Sequence, residues 1–156
     1  MKELQVRSDQ EMVKWGELLG EQVKPGDLLF LSGNLGAGKT TLVKGIAKGM
    51  GIGDDITSPT FQLIKTYYGK YRLNHLDLYR LGGESEIEVL DLEELTIDGV
   101  TVIEWGDFLI GRLFNEYLEI KIQYGEGVSS RSVTLIPSGA RYERLIEELY
   151  NADLRP

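Results

Sequence analysis

The sequence predicts an α/β fold, with a sheet that is parallel at its centre, antiparallel edge strands, and helices on both faces. Segments typical of strands and of helices are mixed along the 156 residues instead of being separated into blocks. Strand pairs joined by short turns occur in the second half and indicate hairpins. A buried apolar segment leads through a glycine-rich loop directly into a helix, as in parallel α/β sheets. No linker or repeat divides the chain, so we expect one domain over residues 1–156.

The first half begins with a short strand and a helix that is capped at its start. The Ser8 hydroxyl can accept a hydrogen bond from a free amide of the first turn while Glu11 reaches back, as in a capping box. Apolar residues at helical spacing predict the buried face of this helix, which ends before Pro25: Met12, Trp15, Leu18 and Leu19. The other elements predicted here are a strand at residues 2–6, a buried strand at 27–32 and a helix at 40–50 closed by Gly51.

From residue 60 onwards, the chain is predicted to contain two hairpins, a buried strand and two helices. The first hairpin turns at Tyr68-Gly69-Lys70, and a Gly-Ser-rich segment at 125–130 joins the strands of the second. The predicted strands are 60–66, 71–78, 100–103, 117–124 and 132–136, and the predicted helices are 84–95, which is strongly acidic, and 139–150.

Composition excludes several kinds of chemistry. The chain has no cysteine and one histidine, His75, so it cannot build a disulfide framework, a thiolate nucleophile or a Cys/His zinc site. A bound metal must therefore be held mainly by oxygen atoms, which favours Mg²⁺ and similar ions. The net charge of −8 argues against strong direct binding to nucleic acid. No apolar run is long enough to span a membrane and the N-terminus lacks a signal-peptide core, so we expect a cytoplasmic protein without membrane association.

The strongest functional signal is a loop that matches G-x-x-x-x-G-K-[ST] at every fixed position, Gly33-Asn34-Leu35-Gly36-Ala37-Gly38-Lys39-Thr40. Its glycines let backbone amides curl around phosphate oxygens, and the following helix directs its positive N-terminal end at the same anion. Lys39 is expected to reach the β- and γ-phosphates, the Thr40 hydroxyl to bind Mg²⁺, and Thr41 to lie near the α-phosphate. A chance glycine-rich turn is disfavoured by the buried strand before the loop and the amphipathic helix after it. The loop therefore predicts a nucleotide site of the P-loop NTPase type.

Two carboxylates are candidates for the metal site. Glu104 follows the apolar strand at 100–103, and ligands of open α/β sheets bind at that end of the strands. A surface glutamate that ends the strand is the alternative. Asp77 shares one strand face with His75 and Tyr79, while leucines occupy the other face. If those leucines are buried, the polar residues line a cleft; otherwise they form a solvated edge-strand face with a surface imidazole. The pattern alone does not decide between these.

Two further features are candidates for contacts with the γ-phosphate. Thr57-Ser58-Pro59-Thr60-Phe61 follows the loop helix, and Pro59 holds Ser58 in extended geometry, where hydroxyls could sense the phosphate. A proline-stabilised entry to a strand is an equal alternative. Arg80 could reach the γ-phosphate or form a surface salt bridge.

Four segments together resemble the bacterial TsaE family, the small ATPases of tRNA threonylcarbamoyladenosine biosynthesis. The phosphate loop is shared with many proteins, whereas H-x-D-L-Y-R followed by I-E-W is far more specific. The segments occur in the family's order with no obvious insertion over residues 1–156, and they are 33–41, 57–61, 75–80 and 103–106.

The resemblance implies a P-loop fold that binds ATP and Mg²⁺ in a cleft. It implies catalytic roles for Lys39, which would hold phosphates, for Glu104, which would attend the metal with Thr40, and for Asp77, which would position metal or attacking water. Asp9 and Arg131 would help to close the nucleotide site. The expected nucleotide contacts are Asp9, Gly33, Leu35, Gly36, Ala37, Gly38, Lys39, Thr40, Thr41 and Arg131. The family's ATPase supports the TsaB–TsaD complex, which transfers the threonylcarbamoyl group to adenosine 37 of tRNAs.

Other functions remain open at this point. A small-molecule kinase of the P-loop class usually carries an arginine-rich lid, and residues 81–111 contain neither Lys nor Arg. A GTPase is disfavoured because no Asn-Lys-x-Asp segment occurs. A nucleotide-gated binding module without turnover has the same sequence features as an ATPase. Because only the ambiguous Arg80 could act as an arginine finger in cis, we expect slow hydrolysis that a protein partner activates.

Overall fold

The computed structural model describes residues 1–34, 36–57, 64–78, 92–110 and 114–154. Its elements are β1 (Lys2–Val6), α1 (Asp9–Gln22), β2 (Leu28–Ser32), α2 (Lys39–Gly49), β3 (Ile64–Tyr68), β4 (Arg72–Asp77), α3 (Leu92–Ile97), β5 (Val100–Glu104), a 3₁₀ turn (Asp107–Leu109), β6 (Tyr117–Tyr124), β7 (Arg131–Ser138) and α4 (Ala140–Asp153).

The strands form one seven-stranded sheet in the order β1-β7-β6-β2-β5-β4-β3. The four central strands, β6, β2, β5 and β4, run parallel to one another. Antiparallel pairs flank them, β3 with β4 on one side and β6 with β7 and β7 with β1 on the other. The predicted parallel centre, antiparallel edge strands and both hairpins are therefore confirmed.

Helices cover both faces of this sheet, as predicted. One face packs against α1, α2 and α4 and forms the larger apolar core, which includes Leu29, Leu31, Ile46 and Leu145. The other face packs against α3 and the 3₁₀ turn around Phe30, Leu76 and Ile103. Because β2 and β5 lie between two covered faces, they are buried along almost their whole length, which explains their continuous apolar runs.

The first helix packs closely against the helix that follows the glycine-rich loop. The Ser8 hydroxyl accepts from the Glu11 amide at 3.1 Å, which confirms the predicted N-cap. Gly16 of α1 faces Gly45 of α2, and a Cβ atom added to Gly16 would lie 2.5 Å from the Leu42 carbonyl oxygen. The missing side chains let the two backbones approach each other, so α2 and its loop rest directly on α1.

Some predicted boundaries differ or lie outside the described residues. The strand predicted at 60–66 is observed as β3 from Ile64, and the acidic helix predicted at 84–95 is observed only as α3, because residues 58–63 and 79–91 are not described. The second hairpin strand is longer than predicted, since β7 covers Arg131–Ser138. In the part of the chain that the structure describes, no helix is long and apolar enough to cross a membrane.

Candidate nucleotide-binding site

The glycine-rich loop connects the end of β2 to the start of α2. Gly36 and Gly38 adopt positive φ angles of 80° and 115°, which a residue with a side chain rarely adopts. Gly38 is the N-cap of α2 and has no side chain that could cap the first turn. The first amides of α2 are therefore available to an anion, as phosphate binding requires. Leu35, a predicted nucleotide contact, lies outside the described residues.

The loop borders a cleft of about 200 Å³. Most of the side chains predicted to act on nucleotide and metal meet here. The lining residues are Gly36, Gly38, Lys39, Thr40, Thr41, Asp77, Glu104 and Trp105. Asp77 ends β4 and Glu104 ends β5, and the two residues are directly paired in the parallel register. The carboxyl ends of neighbouring parallel strands thus bring both carboxylates to the N-terminus of α2. The sequence pattern placed Glu104 at such a strand end but left the position of Asp77 undecided, and only the resemblance to the TsaE family favoured Asp77.

Lys39 is the first residue of α2 and is almost fully buried, with 5% exposure. Its Nζ donates to the Gly33 carbonyl oxygen at 2.8 Å and lies 3.9 Å from the centroid of the Trp105 ring. Burial lowers the pKa of Lys39, while the nearby carboxylates of Glu104, Asp77 and Asp107 act in the opposite direction. The loss of hydration therefore outweighs the attraction of the three carboxylates, and the pKa of the ammonium group at the cleft is lowered.

The donor set of the cleft suits a magnesium ion. Thr40 offers a hydroxyl, and Asp77 and Glu104 offer carboxylates, which are the hard oxygen ligands that Mg²⁺ prefers. Among the described residues, no three His, Asp or Glu side chains form a ready-made metal cage. Mg²⁺ is usually bound through one or two carboxylates plus substrate phosphates and water, and two carboxylates line this cleft.

His75 differs from both sequence-based alternatives. The neighbouring Leu76 and Leu78 are buried, and Asp77 lines the cleft, as the cleft hypothesis required. His75 itself is fully buried, so it is neither a cleft-lining nor a surface imidazole. Its Nε2 lies 2.5 Å from Oε2 of Glu104. His75 is buried because α2 covers the strand face that the polar residues share. Only the end of this strand is open to the cleft. Tyr79 and Arg80 lie outside the described residues, as does the segment 58–61.

Arg131 contacts the glycine-rich loop, and neither Asp9 nor Arg131 lines the cleft. Asp9 is the exposed first residue of α1. The start of α1 is close to the loop, because the Met12 methyl group lies 3.3 Å from the position of a Cβ on Gly38. Arg131 donates from Nε to the Ala37 carbonyl oxygen at 2.9 Å. Direct contacts of Asp9 and Arg131 with nucleotide remain predictions.

Trp105 is a site residue that sequence reasoning did not select. Its φ angle of 59° is unusual for a bulky side chain and turns the chain sharply after Glu104. Gly106 follows because a Cβ there would lie 2.5 Å from Cγ2 of Ile103. The signal in the sequence was the Trp-Gly pair directly after Glu104, a predicted metal ligand. Because the strand ends in a tight turn there, the side chain of the next residue, Trp105, enters the cleft.

Comparison with known proteins identifies the family. The family model described as "Threonylcarbamoyl adenosine biosynthesis protein TsaE" matches residues 6–133. This chain belongs to the TsaE family. Its TsaE-family relatives include the tRNA threonylcarbamoyladenosine biosynthesis protein TsaE of Bacillus subtilis, 42% identical over 156 residues and 98% of each chain. The protein of the same name from Streptomyces coelicolor is 38% identical over 138 residues, 84% of this chain and 93% of the relative.

The solved structures also include a similar fold. The crystal structure of Bacillus subtilis YdiB matches with a TM-score of 0.82 and 37% sequence identity, over 97% of this chain and 95% of that one. The resemblance to the TsaE family and the α/β fold class expected from the sequence are both confirmed.

Proposed function

We propose that this TsaE-family protein binds and hydrolyses ATP with Mg²⁺ and thereby supports the TsaB–TsaD complex in N6-threonylcarbamoyladenosine modification of tRNA. The observation that carries the proposal is that Lys39, Thr40, Asp77 and Glu104 line the same cleft. The names of the relatives, all tRNA threonylcarbamoyladenosine biosynthesis proteins, support the pathway.

In the proposed transfer of a phosphoryl group from ATP to water, the residues of the cleft have different roles. The loop amides and Lys39 bind the phosphates, and Lys39 exchanges its bond to the Gly33 carbonyl oxygen for one to a phosphate oxygen. Thr40 and Glu104 would hold Mg²⁺, which when bound would supply positive charge to stabilise the phosphates. Asp77, beside Glu104 in the sheet, holds the metal or orients the attacking water. Catalysis of this kind is mainly positioning and charge stabilisation, so it needs no covalent nucleophile from the chain.

The test is steady-state phosphate release, combined with calorimetry of ATP binding in the presence and absence of Mg²⁺. We expect Mg²⁺-dependent binding and slow turnover by the protein alone, which rises when TsaB and TsaD are added. A small-molecule kinase would instead form ADP only with an acceptor. A binding module without turnover would bind ATP tightly and release no phosphate under any of these conditions.

A further inference from the structure

His75 and Glu104 form a buried pair directly beneath the cleft. His75 Nε2 and Glu104 Oε2 are 2.5 Å apart, and the two side chains are 0% and 5% exposed. On β4, His75 pairs in register with Val102 of β5. Glu104 is two residues further along β5 and therefore lies on the same face of the sheet as Val102. The contact thus crosses diagonally from the interior of one strand to the end of the next.

The surroundings of the imidazole determine which nitrogen carries the proton. His75 Nδ1 is buried and has no hydrogen-bond partner within the described ranges. A proton on Nδ1 alone would leave a buried N–H unsatisfied and would place the bare Nε2 lone pair against a carboxylate oxygen. We therefore assign the proton to Nε2, which donates to Glu104. His75 acts here as a fixed hydrogen-bond donor.

This hydrogen bond has a consequence for the cleft. A carboxylate whose Oε2 is held by an immobile donor can rotate little, so the direction of its second oxygen is also fixed. Glu104 lines the cleft with Thr40 and Asp77, and the oxygen that His75 does not hold is the one that we assign to a metal there. Ligating carboxylates are commonly oriented by such outer hydrogen bonds, and loss of the partner typically costs 10–100-fold in metal affinity or activity.

We propose that His75 is a positioning residue that holds the Glu104 carboxylate in the orientation in which it binds Mg²⁺. The inference rests on the proposed function, because it presupposes a magnesium–nucleotide complex in the cleft. His75 itself lies below the cleft surface and touches neither nucleotide nor metal.

The test compares three substitutions on β4. His75→Leu removes the donor, His75→Gln replaces it with an amide N–H of similar reach, and Leu73→Ala is a control for general loss of packing. Leu73 is buried on the same strand face but pairs with Val100 at the opposite end of β5 from Glu104. The readout is calorimetric binding of a non-hydrolysable ATP analogue over a range of Mg²⁺ concentrations, and again in EDTA.

We expect His75→Leu to need about 10–100-fold more Mg²⁺ for half-maximal tightening of nucleotide binding, with unchanged affinity in EDTA. His75→Gln should restore most of the Mg²⁺ response, and Leu73→Ala should keep it. If His75→Leu does not fold, His75→Asn, whose amide is too short to reach Oε2, should show the same defect.

Three results would overturn the inference: a wild-type Mg²⁺ requirement in the donor-less variant, a glutamine variant as defective as the leucine variant, or an equal shift in Leu73→Ala. Failure of the proposed function would look different. If the wild-type protein binds no nucleotide, or binds it equally with and without Mg²⁺, the proposed function and this inference fail together. If the wild-type protein responds to Mg²⁺ and the His75 variants respond identically, only the role of His75 is wrong.

Discussion

Lys39 contributes a buried positive charge whose Nζ contacts a backbone carbonyl oxygen and an aromatic ring, with carboxylates nearby. A phosphate oxygen is a stronger partner than either, so we predict that Lys39→Ala weakens ATP binding about 10–100-fold, because hydrogen bonds to charged groups contribute about 1.5–3 kcal/mol. Calorimetry measures this directly. Lys44→Ala is the matched control, since Lys44 is exposed on the same helix and should bind ATP like the wild type. If Lys39→Ala binds ATP with unchanged affinity, the assignment of this cleft as a nucleotide-binding site is wrong.

The two carboxylates at the strand ends are expected to act mainly in the transition state. We predict that Glu104→Gln and Asp77→Asn each lower the turnover number by about 10²-fold or more, while the variants stay folded and still bind nucleotide in EDTA. Phosphate release in the presence of TsaB and TsaD is the measurement. Glu143→Gln, an exposed carboxylate on α4, serves as the control. A variant that keeps wild-type turnover shows that its carboxylate is structural.

At the scale of elements, the contact between α1 and α2 depends on glycine. A Cβ on Gly16 would lie 2.5 Å from a backbone oxygen, and backbone cannot move aside as a flexible side chain can. We therefore predict that Gly16→Ala lowers the free energy of unfolding by about 1–3 kcal/mol, the usual cost of overpacking. Gly53→Ala is the control, because a Cβ there meets nothing within 4 Å. Urea unfolding of both variants is the measurement. If Gly16→Ala is as stable as Gly53→Ala, α1 and α2 can move apart at little cost in free energy and the prediction is wrong.

The last helix is tied to the start of β2 by polar contacts. The Leu28 amide donates to the Tyr142 hydroxyl at 2.9 Å, and Arg141 forms two hydrogen bonds with the buried Asp27. Because Tyr142→Phe leaves the Leu28 amide without this acceptor, we predict a loss of about 1–3 kcal/mol in unfolding free energy near pH 8.

This contribution should depend on pH with a definite sign. Burial raises the pKa of Tyr142 to about 12, against an ordinary value of about 10 in the unfolded chain. Above pH 10 the unfolded state loses its proton first, so the stabilisation present at lower pH is lost as the pH rises towards 12. The stability difference between wild type and Tyr142→Phe should therefore shrink by about 1 kcal/mol between pH 8 and pH 11. If urea unfolding gives the same difference in unfolding free energy between wild type and Tyr142→Phe at both pH values, the raised pKa of Tyr142 is contradicted.

For the whole molecule, local pattern predicted the sheet, the glycine-rich loop and Glu104 at the end of a strand. The apolar runs of β2 and β5, the loop and a carboxylate directly after an apolar run are all local signals, and parallel topology brings such strand ends together. Asp77 was favoured only through the resemblance to the TsaE family. The burial of His75 and the bond from Arg131 to the Ala37 carbonyl were not predictable in this way. Both depend on how α2 and the β6–β7 hairpin pack against distant segments, and that packing has no signature within a short stretch of sequence.

The charge of the whole molecule bears on the proposed activation by a partner. Lys39 is the only cation among the described residues that line the cleft, so in the proposed hydrolysis this chain would neutralise only part of the charge that develops on the phosphates. The net charge of −8, with acidic residues concentrated in the sequence at 84–98, would repel tRNA and attract a basic protein surface. A solvated helix face is the ordinary role of such a stretch.

We therefore predict that the isolated protein hydrolyses ATP slowly and that a protein partner, not RNA, activates it. An arginine supplied in trans can accelerate such a reaction by about 10³–10⁵-fold. Phosphate release should be measured for the protein alone, with tRNA alone and with TsaB and TsaD, at low and moderate salt. Activation by the complex should weaken as salt rises, because screening removes long-range attraction between exposed charges. Neutralising Glu84, Glu86 and Glu88 together should weaken it further if the acidic stretch steers the partner. Strong stimulation by tRNA alone, or full activity without a partner, would contradict this mechanism. In either case the additional positive charge would not come from a protein partner.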